Sequence, residues 1–196
     1  VVSDLKLRGG YGTMGNQLPV SPQNQYDLLS SVVGTSFYDL NGSGSSSLQG
    51  FYPSQIGFPG AKWETNVTTN VGFDAGLLDN KLQINFDWYQ KRTEDLLFNP
   101  ARPAVDGAAT PPFINIGEMK NTGIDIQIGY KQIVSNDLSF DATFTLTSYN
   151  NEIVKITDEF DFFTPGSISR IGPFTRNQVG RSISEFFGYN VIGLFQ

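Results

Sequence analysis

The amino-acid sequence predicts an all-β protein, with long antiparallel strands that form a segment of a transmembrane β-barrel with long extracellular loops. Three observations lead to this fold class. Residues 63–89 alternate between apolar and polar side chains, residues 124–147 do so again, and the connections between strands are alternately long and short. Soluble strands usually run to about six residues, whereas a tilted strand needs roughly nine to eleven to cross a bilayer.

The first predicted hairpin occupies residues 62–89. From Trp63 to Leu77, every second side chain is apolar or threonine and the intervening residues are polar or glycine, as in a strand with two differently solvated faces. After a turn at residues 78–81, the apolar positions resume at Leu82, Ile84, Phe86 and Trp88. Trp63 and Phe73 would lie about 33 Å apart along the strand, which a tilt of about 40° reduces to the roughly 25 Å height of an apolar membrane band.

The remaining strands and connections follow the same logic. A strand begins at Leu5 and runs into a Gly-, Ser- and Pro-rich region at residues 13–61, where Ser21-Pro22 favours the start of a short helix ending at Leu29. In the second hairpin the apolar positions are Ile124, Ile126, Ile128 and Tyr130 before a turn at 134–137, and Leu138, Phe140, Ala142, Phe144 and Leu146 after it. Short turns at 78–81 and 134–137 and long connections at 13–61 and 90–115 are typical of bacterial outer-membrane barrels, with the short turns in the periplasm.

Composition excludes several classes of function. The chain has 196 residues, a net charge of −6 and neither histidine nor cysteine, so it can build no Ser-His-Asp or Cys-His nucleophile, no thiolate or histidine zinc site and no basic stripe for nucleic acid. Gly10, Gly12 and Gly15 match G-x-G-x-x-G, but the Asn16-Gln17-Leu18-Pro19 that follows does not favour the helix that a dinucleotide site requires. We predict a non-enzymatic protein without a cofactor.

Five sequence motifs occur along the chain in this order: LKLRGGYGTMGNQ (5–17), KWETN (62–66), KLQINFDWYQKRTEDLL (81–97), IGEMKNTGIDIQIGY (116–130) and EFFGYNVIGLFQ (185–196). Together they resemble the SusC/RagA-type TonB-dependent outer-membrane transporters of Bacteroidetes. The chain departs from the family pattern at Pro59-Gly60-Ala61, before Lys62, and at Phe187, where tyrosine is common. These departures concern loop detail.

The resemblance implies that all 196 residues belong to one barrel domain of twenty-two strands, closed by a plug and capped by a SusD-like surface lipoprotein. It also implies TonB-driven uptake of oligosaccharides or peptides across the bacterial outer membrane. No plug or TonB-contacting segment is recognisable in the sequence, which begins Val1-Val2, and we therefore expect it to be a fragment of the C-terminal half of the barrel.

Two sets of residues are the candidate functional sites. We predict that apolar side chains on the strands face lipid, with aromatic residues near the membrane interfaces; they are Trp63, Val67, Val71, Phe73, Ile84, Phe86, Trp88, Ile126, Ile128 and Tyr130. Aromatic residues outside the long strands either contact substrate and the lipoprotein partner or pack the loops on themselves; they are Phe51, Tyr52, Phe113, Phe160, Phe162, Phe163, Phe174, Phe186, Phe187 and Tyr189.

The acidic residues have simpler interpretations than catalysis. Asp158, Glu159 and Asp161 lack the ligand spacing of a calcium loop, which favours a solvated patch. On alternating strands, carboxylates are expected to line a wet barrel interior; these are Glu64, Asp74, Asp87, Asp125 and Asp141. The alternative functions are a soluble or secreted carbohydrate-binding β-sandwich and, less favoured, a glycoside hydrolase with paired carboxylates.

Overall fold

A computed structural model describes residues 2–18, 20–32, 36–44, 47–100, 107–135, 137–157, 161–164 and 172–193. Five long strands dominate them: β1 (Val2–Asn16), β6 (Glu64–Leu77), β7 (Leu82–Phe98), β8 (Ile114–Ser135) and β9 (Leu138–Ile156). The short strands are β2 (Leu28–Ser30), β3 (Phe37–Tyr38), β4 (Leu48–Gln49), β5 (Tyr52–Gln55), β10 (Phe162–Phe163), β11 (Thr175–Gln178) and β12 (Glu185–Phe186). The predicted all-β fold is confirmed.

The long strands form one open sheet in the order β1-β6-β7-β8-β9. Strands β6 and β7 pair antiparallel from Thr65 opposite Glu94 to Leu77 opposite Leu82. The turn between them is at the predicted position. Three of its residues have the positive φ that the reversal requires: Leu78 (54°), Asp79 (56°) and Asn80 (62°).

The β8–β9 hairpin contains a bulge that aligns two buried isoleucines. Glu118 pairs with Lys155, but Met119 pairs with Ile153, so Val154 is an extra residue in β9. The bulge places Ile153 and Ile156 on the same face although they are three residues apart. Both are buried, with exposed fractions of 1% and 7%.

Three strands extend beyond the alternating segments that predicted them. Strand β1 reaches Asn16, β7 continues to Phe98 and β8 begins at Ile114, whereas β9 ends at Ile156, where the extended sequence pattern also ends. The predicted helix from Ser21 to Leu29 is wrong in extent: a 3-10 helix covers only Pro22–Gln25, and the Ser21 hydroxyl accepts the Gln23 N–H at 3.2 Å. Hydrogen bonds within the strand ladder extend regular structure past the residues that show alternation.

The chain divides into two compact units, the first formed by Val1–Asn16, Thr65–Leu96 and Gly117–Gln196. The second, Gln17–Glu64 and Leu97–Ile116, contains the small β2–β5 and β3–β4 sheets. In the second unit, the buried Asn24 side chain binds both backbone groups of Phe113: its amide donates to the carbonyl at 2.9 Å and its oxygen accepts the N–H at 2.7 Å. This single side chain joins segments 89 positions apart.

The long strands bury both apolar and polar side chains. Among the described residues, the buried hydrophobic side chains are Ile116, Ile153, Ile156 and Phe163. Asn66 and Thr93, both polar, are buried and share a 2.9 Å hydrogen bond, whereas Val71 is 55% exposed. Within the described ranges, no helix is long and apolar enough to cross a membrane.

Candidate functional site: a two-faced strand wall and an aromatic arginine cluster

The first feature is a band of apolar side chains on one face of the long sheet. Residues directly opposite in an antiparallel pair share a face, and Phe73 stacks on Phe86 with ring centroids 5.5 Å apart. The pairs in this apolar band are Val71–Trp88, Phe73–Phe86, Ala75–Ile84, Leu77–Leu82, Ile126–Leu146, Ile128–Phe144 and Tyr130–Ala142. Eight of the ten residues predicted to face lipid therefore lie in this band.

Charged residues lie on the same face beyond the end of the apolar band that is farther from the turns. Val67 pairs with Arg92, and the Arg92 guanidinium contacts the carboxylates of Glu94, at 3.4 Å, and Glu118. One strand further along, Lys120 and Glu152 form an ion pair at 3.1 Å. Val67 therefore lies beside these charged side chains.

Trp63 lies just before β6, in the second unit. It is 64% exposed and borders a cavity of about 250 Å³, together with Phe58 and Leu97. Val67 lies outside the apolar band of the first unit, and lipid contact of Trp63 and Val67 stays a prediction.

The opposite face of the sheet is polar, and an arginine on the edge strand β1 contacts two carboxylates there. Arg8 of β1 donates to Asp74 of β6 at 2.9 Å and to Asp87 of β7 at 2.8 Å, and Asn85 also donates to Asp74 at 2.8 Å. A Cβ at Gly72 would approach the Asp87 carboxylate to 2.2 Å, so glycine is what allows this carboxylate to lie across β6. Arg8 of one strand therefore forms ion pairs with carboxylates on two other strands.

The polar face extends across β8 and β9. The Thr147 hydroxyl donates to Asp125 at 2.7 Å, and the Tyr89 ring lies over Gly123, where a Cβ would come within 2.5 Å of the Tyr89 hydroxyl. An open cavity of about 630 Å³ is lined by Arg8, Thr68, Asn70, Asp87, Tyr89, Lys91, Asn121, Asp125 and Tyr149. By strand alternation and pairing, the predicted interior carboxylates Glu64, Asp74, Asp87, Asp125 and Asp141 lie on this polar face.

The predicted loop aromatics fall into two groups. Phe51, Tyr52 and Phe113 belong to the second unit, and Phe51 is 68% exposed. In the first unit, Phe174 stacks on Phe186 at 6.3 Å, and Phe187 meets Tyr189 edge-on at 5.5 Å. Phe163 is buried on β10, and Phe160 lies outside the described residues, as do Asp158 and Glu159.

Sequence reasoning did not find Arg176, around which the second group of aromatics is arranged. Its guanidinium carbon lies 4.0 Å from the Phe162 ring centroid and 3.5 Å from that of Phe187. We call Arg176, Phe162 and Phe187 the arginine sleeve. Two cation–π contacts hold a planar guanidinium by its faces and leave its edge for hydrogen bonding. The two rings are 14 and 11 positions from Arg176, so no local pattern signals the cluster.

The acidic residues do not form a recognisable metal site where the structure describes them. Within those ranges, no group of three or more Asp or Glu side chains stands close enough to hold an ion. Asp161 is exposed and lines a cavity with Phe162 and Arg176.

Comparisons with known proteins agree with this geometry. The sequence model of the family described as TonB dependent receptor-like, beta-barrel, matches residues 1–186. TonB-dependent receptor P3 of Formosa agariphila is 30% identical over 200 residues, which cover 100% of this chain and 19% of that protein. TonB-dependent receptor SusC of Bacteroides thetaiotaomicron is 31% identical over 199 residues, covering 98% of this chain and 19% of SusC.

Solved structures show the same likeness. The structure of the RagAB peptide transporter superposes with a TM-score of 0.72 at 25% identity, covering 94% of this chain and 18% of that one. The RagAB peptide importer in its closed-closed state gives a TM-score of 0.73 at 25% identity, with the same coverage. The chain spans about a fifth of the length of the curated relatives that it matches.

Proposed function

Because the chain belongs to the TonB-dependent receptor-like β-barrel family and is SusC/RagA-like within it, we propose that it forms part of the wall of an outer-membrane transporter. In this proposal residues 1–196 belong to one barrel domain, and the protein that carries them imports oligosaccharides or peptides, with energy supplied through TonB. The chain contributes strands and loops and no catalytic step.

The observation that carries the proposal is the two-faced long sheet. Its apolar band is continuous across β6 to β9 and is not covered by a second layer within the described parts of the first unit, whereas its other face holds the Arg8–Asp74–Asp87 ion pairs. In a membrane barrel, the apolar face contacts lipid and the polar face lines the water-filled lumen. Trp88, at one end of the band, and Tyr130, at the other, fit the aromatic girdles of such barrels.

The connection lengths support an orientation. Strands β6 and β7 are joined by residues 78–81, and β8 and β9 by residues 136–137, at the same end of the sheet, where the Lys131 N–H donates to the Lys81 carbonyl at 2.7 Å. The connections at 17–63 and 99–113 leave from the opposite end. Short turns face the periplasm in outer-membrane barrels, so we assign the long connections to the cell exterior.

The choice of substrate and partner rests on the relatives. RagAB is a peptide transporter, which supports peptides as substrate, and the likeness to SusC and RagAB supports a SusD-like surface lipoprotein as partner. A soluble carbohydrate-binding β-sandwich fits less well, because a sandwich buries the apolar faces of two sheets against each other.

The test uses the protein that carries this chain, in its own cells. We expect it in the outer-membrane fraction, solubilised only by detergent and accompanied by a surface lipoprotein. Uptake of labelled peptides or oligosaccharides should stop when either this gene or tonB is deleted. A folded, monodisperse protein in the absence of detergent would overturn the membrane assignment, and uptake that continues without TonB would overturn the energy coupling.

A further inference from the structure

We propose that the arginine sleeve binds a carboxylate group of the transported ligand. The inference rests on the proposed transport function and narrows its substrates to molecules that carry a carboxylate, namely peptides or acidic oligosaccharides. The group that makes the contact is the edge of the Arg176 guanidinium, held between Phe162 and Phe187.

The first argument is that the Arg176 guanidinium is held in position but has no hydrogen-bond partner among the described residues. Its side chain makes no hydrogen bond or ion pair to any described residue, and its Nε is buried without a partner. Arg181, a few residues along the chain, has its guanidinium 3.4 Å from the Glu185 carboxylate. A guanidinium stacked on both faces can still donate from its edge, in the planar geometry that matches a carboxylate.

The second argument is the space next to the arginine sleeve. An open cavity of about 650 Å³ is bordered by Arg176, Phe162, Thr157 and Asp161. The Thr157 hydroxyl is also buried without a hydrogen-bond partner. A ligand carboxylate would satisfy the Arg176 and Thr157 donors, and Asp161 would accept from an N–H or O–H on the same ligand. Peptides and uronic-acid oligosaccharides both provide this combination.

The third argument is the location of the arginine sleeve in the first unit. Strands β10–β12 attach to the end of β9 that is farthest from the turns: the Ile153 N–H donates to Arg181 O, and the Gly180 N–H to Ile153 O, both at 2.9 Å. In the proposed orientation that end faces the cell exterior, where a ligand arrives.

The experiment compares matched ligands on the purified full-length transporter in detergent. One pair is an N-acetylated pentapeptide with a free C-terminal carboxylate and its C-terminal amide; the other is penta-galacturonate and its methyl ester. We expect at least one carboxylate form to bind about ten- to a hundredfold more tightly than its neutral partner, the range for a charge-assisted hydrogen bond. Arg176→Gln should remove that preference, and Arg176→Lys should restore part of it.

Arg181→Gln is the matched control, since it removes a neighbouring cation that already has a carboxylate partner; the preference should survive it. Folding of each variant is checked by heat-dependent mobility on a denaturing gel. A preference in the peptide pair identifies peptides, and one in the uronate pair identifies acidic glycans. The inference is overturned if neither carboxylate form is preferred, or if Arg176→Gln keeps the preference. If only the arginine-sleeve inference is wrong, TonB-dependent uptake still occurs. If the proposed transport function is wrong, no TonB-dependent uptake is seen at all.

Discussion

Ala75→Arg tests whether the apolar band faces lipid. The β6–β7 part of the band runs from the Leu77–Leu82 pair beside the turn to the Val71–Trp88 pair. Its centre is therefore one residue from Ala75, about 3 Å along the strand. An arginine on the lipid face costs about 2–4 kcal/mol at the midplane of the bilayer and about 0–1 kcal/mol near its surfaces. Since alanine has little side chain to lose, we expect Ala75→Arg to destabilise the barrel by about 2–4 kcal/mol.

The matched control is Gln83→Arg. Gln83 precedes Ile84, the partner of Ala75, and its side chain lies on the polar face beside Asn85. An arginine there remains in water, and we expect a change within about 0.5 kcal/mol. The assay is equilibrium urea unfolding of the full-length protein in lipid vesicles, followed by tryptophan fluorescence. Equal destabilisation by the two substitutions, or a larger effect of Gln83→Arg, would refute the assignment of faces.

Three further predictions concern turns and loops. Leu78→Gly should raise the free energy of unfolding by about 0.5–1 kcal/mol, because Leu78 has φ 54° and glycine removes left-handed strain at a smaller entropic cost; a loss in the same urea assay would contradict this. Asn24→Ala removes both hydrogen bonds to Phe113 and should destabilise the second unit by about 2–3 kcal/mol, seen as faster proteolysis there but unchanged cleavage elsewhere. Backbone N–H groups, that of Gly44 foremost, donate to the Asp39 carboxylate and lower the pKa of Asp39. The ionised carboxylate therefore stabilises this loop fully above the pKa that Asp39 has in the unfolded chain, and the stabilisation is lost as the pH falls through the lower pKa of the folded chain. Hydrogen exchange of residues 37–44, corrected for intrinsic rates, should show this loss for the native chain and none for Asp39→Asn.

The part of the fold that sequence predicted is local. Successive side chains of a strand point to opposite faces of the sheet, so the alternation around Val71 and Ile126 identified the two faces. The turn residues near Asp79 set the register of the strand pair. The wall assignment followed from those residues, whereas the family resemblance rested on the five sequence motifs between residues 5 and 196. Strands β2–β5, two to four residues each, are too short for a period-2 pattern to stand out.

Contacts between segments distant in sequence were not predictable. Arg8 reaches carboxylates 66 and 79 positions away, and alternation indicates only that all three share a face. The sequence does not single out Arg176, because the rings that contact it lie on β10 and just after β12, 14 and 11 positions away. The aromatic loop residues were identified as candidates, but only the fold places Phe162 and Phe187 on either side of one cation.

The apolar band forms only when its strands pair. From Thr65 to Gly76 in β6, and in most of β7, each apolar residue is followed by a polar one or a glycine, so the unpaired strands present no long hydrophobic stretch. A helical membrane span requires about 20 consecutive apolar residues. A newly made chain with this pattern can cross an inner membrane and an aqueous compartment without being held in the inner membrane as a transmembrane helix. Its lipid-compatible surface appears only when β6 pairs with β7 and β8 with β9, so solubility in transit and insertion at the destination arise from the same alternation.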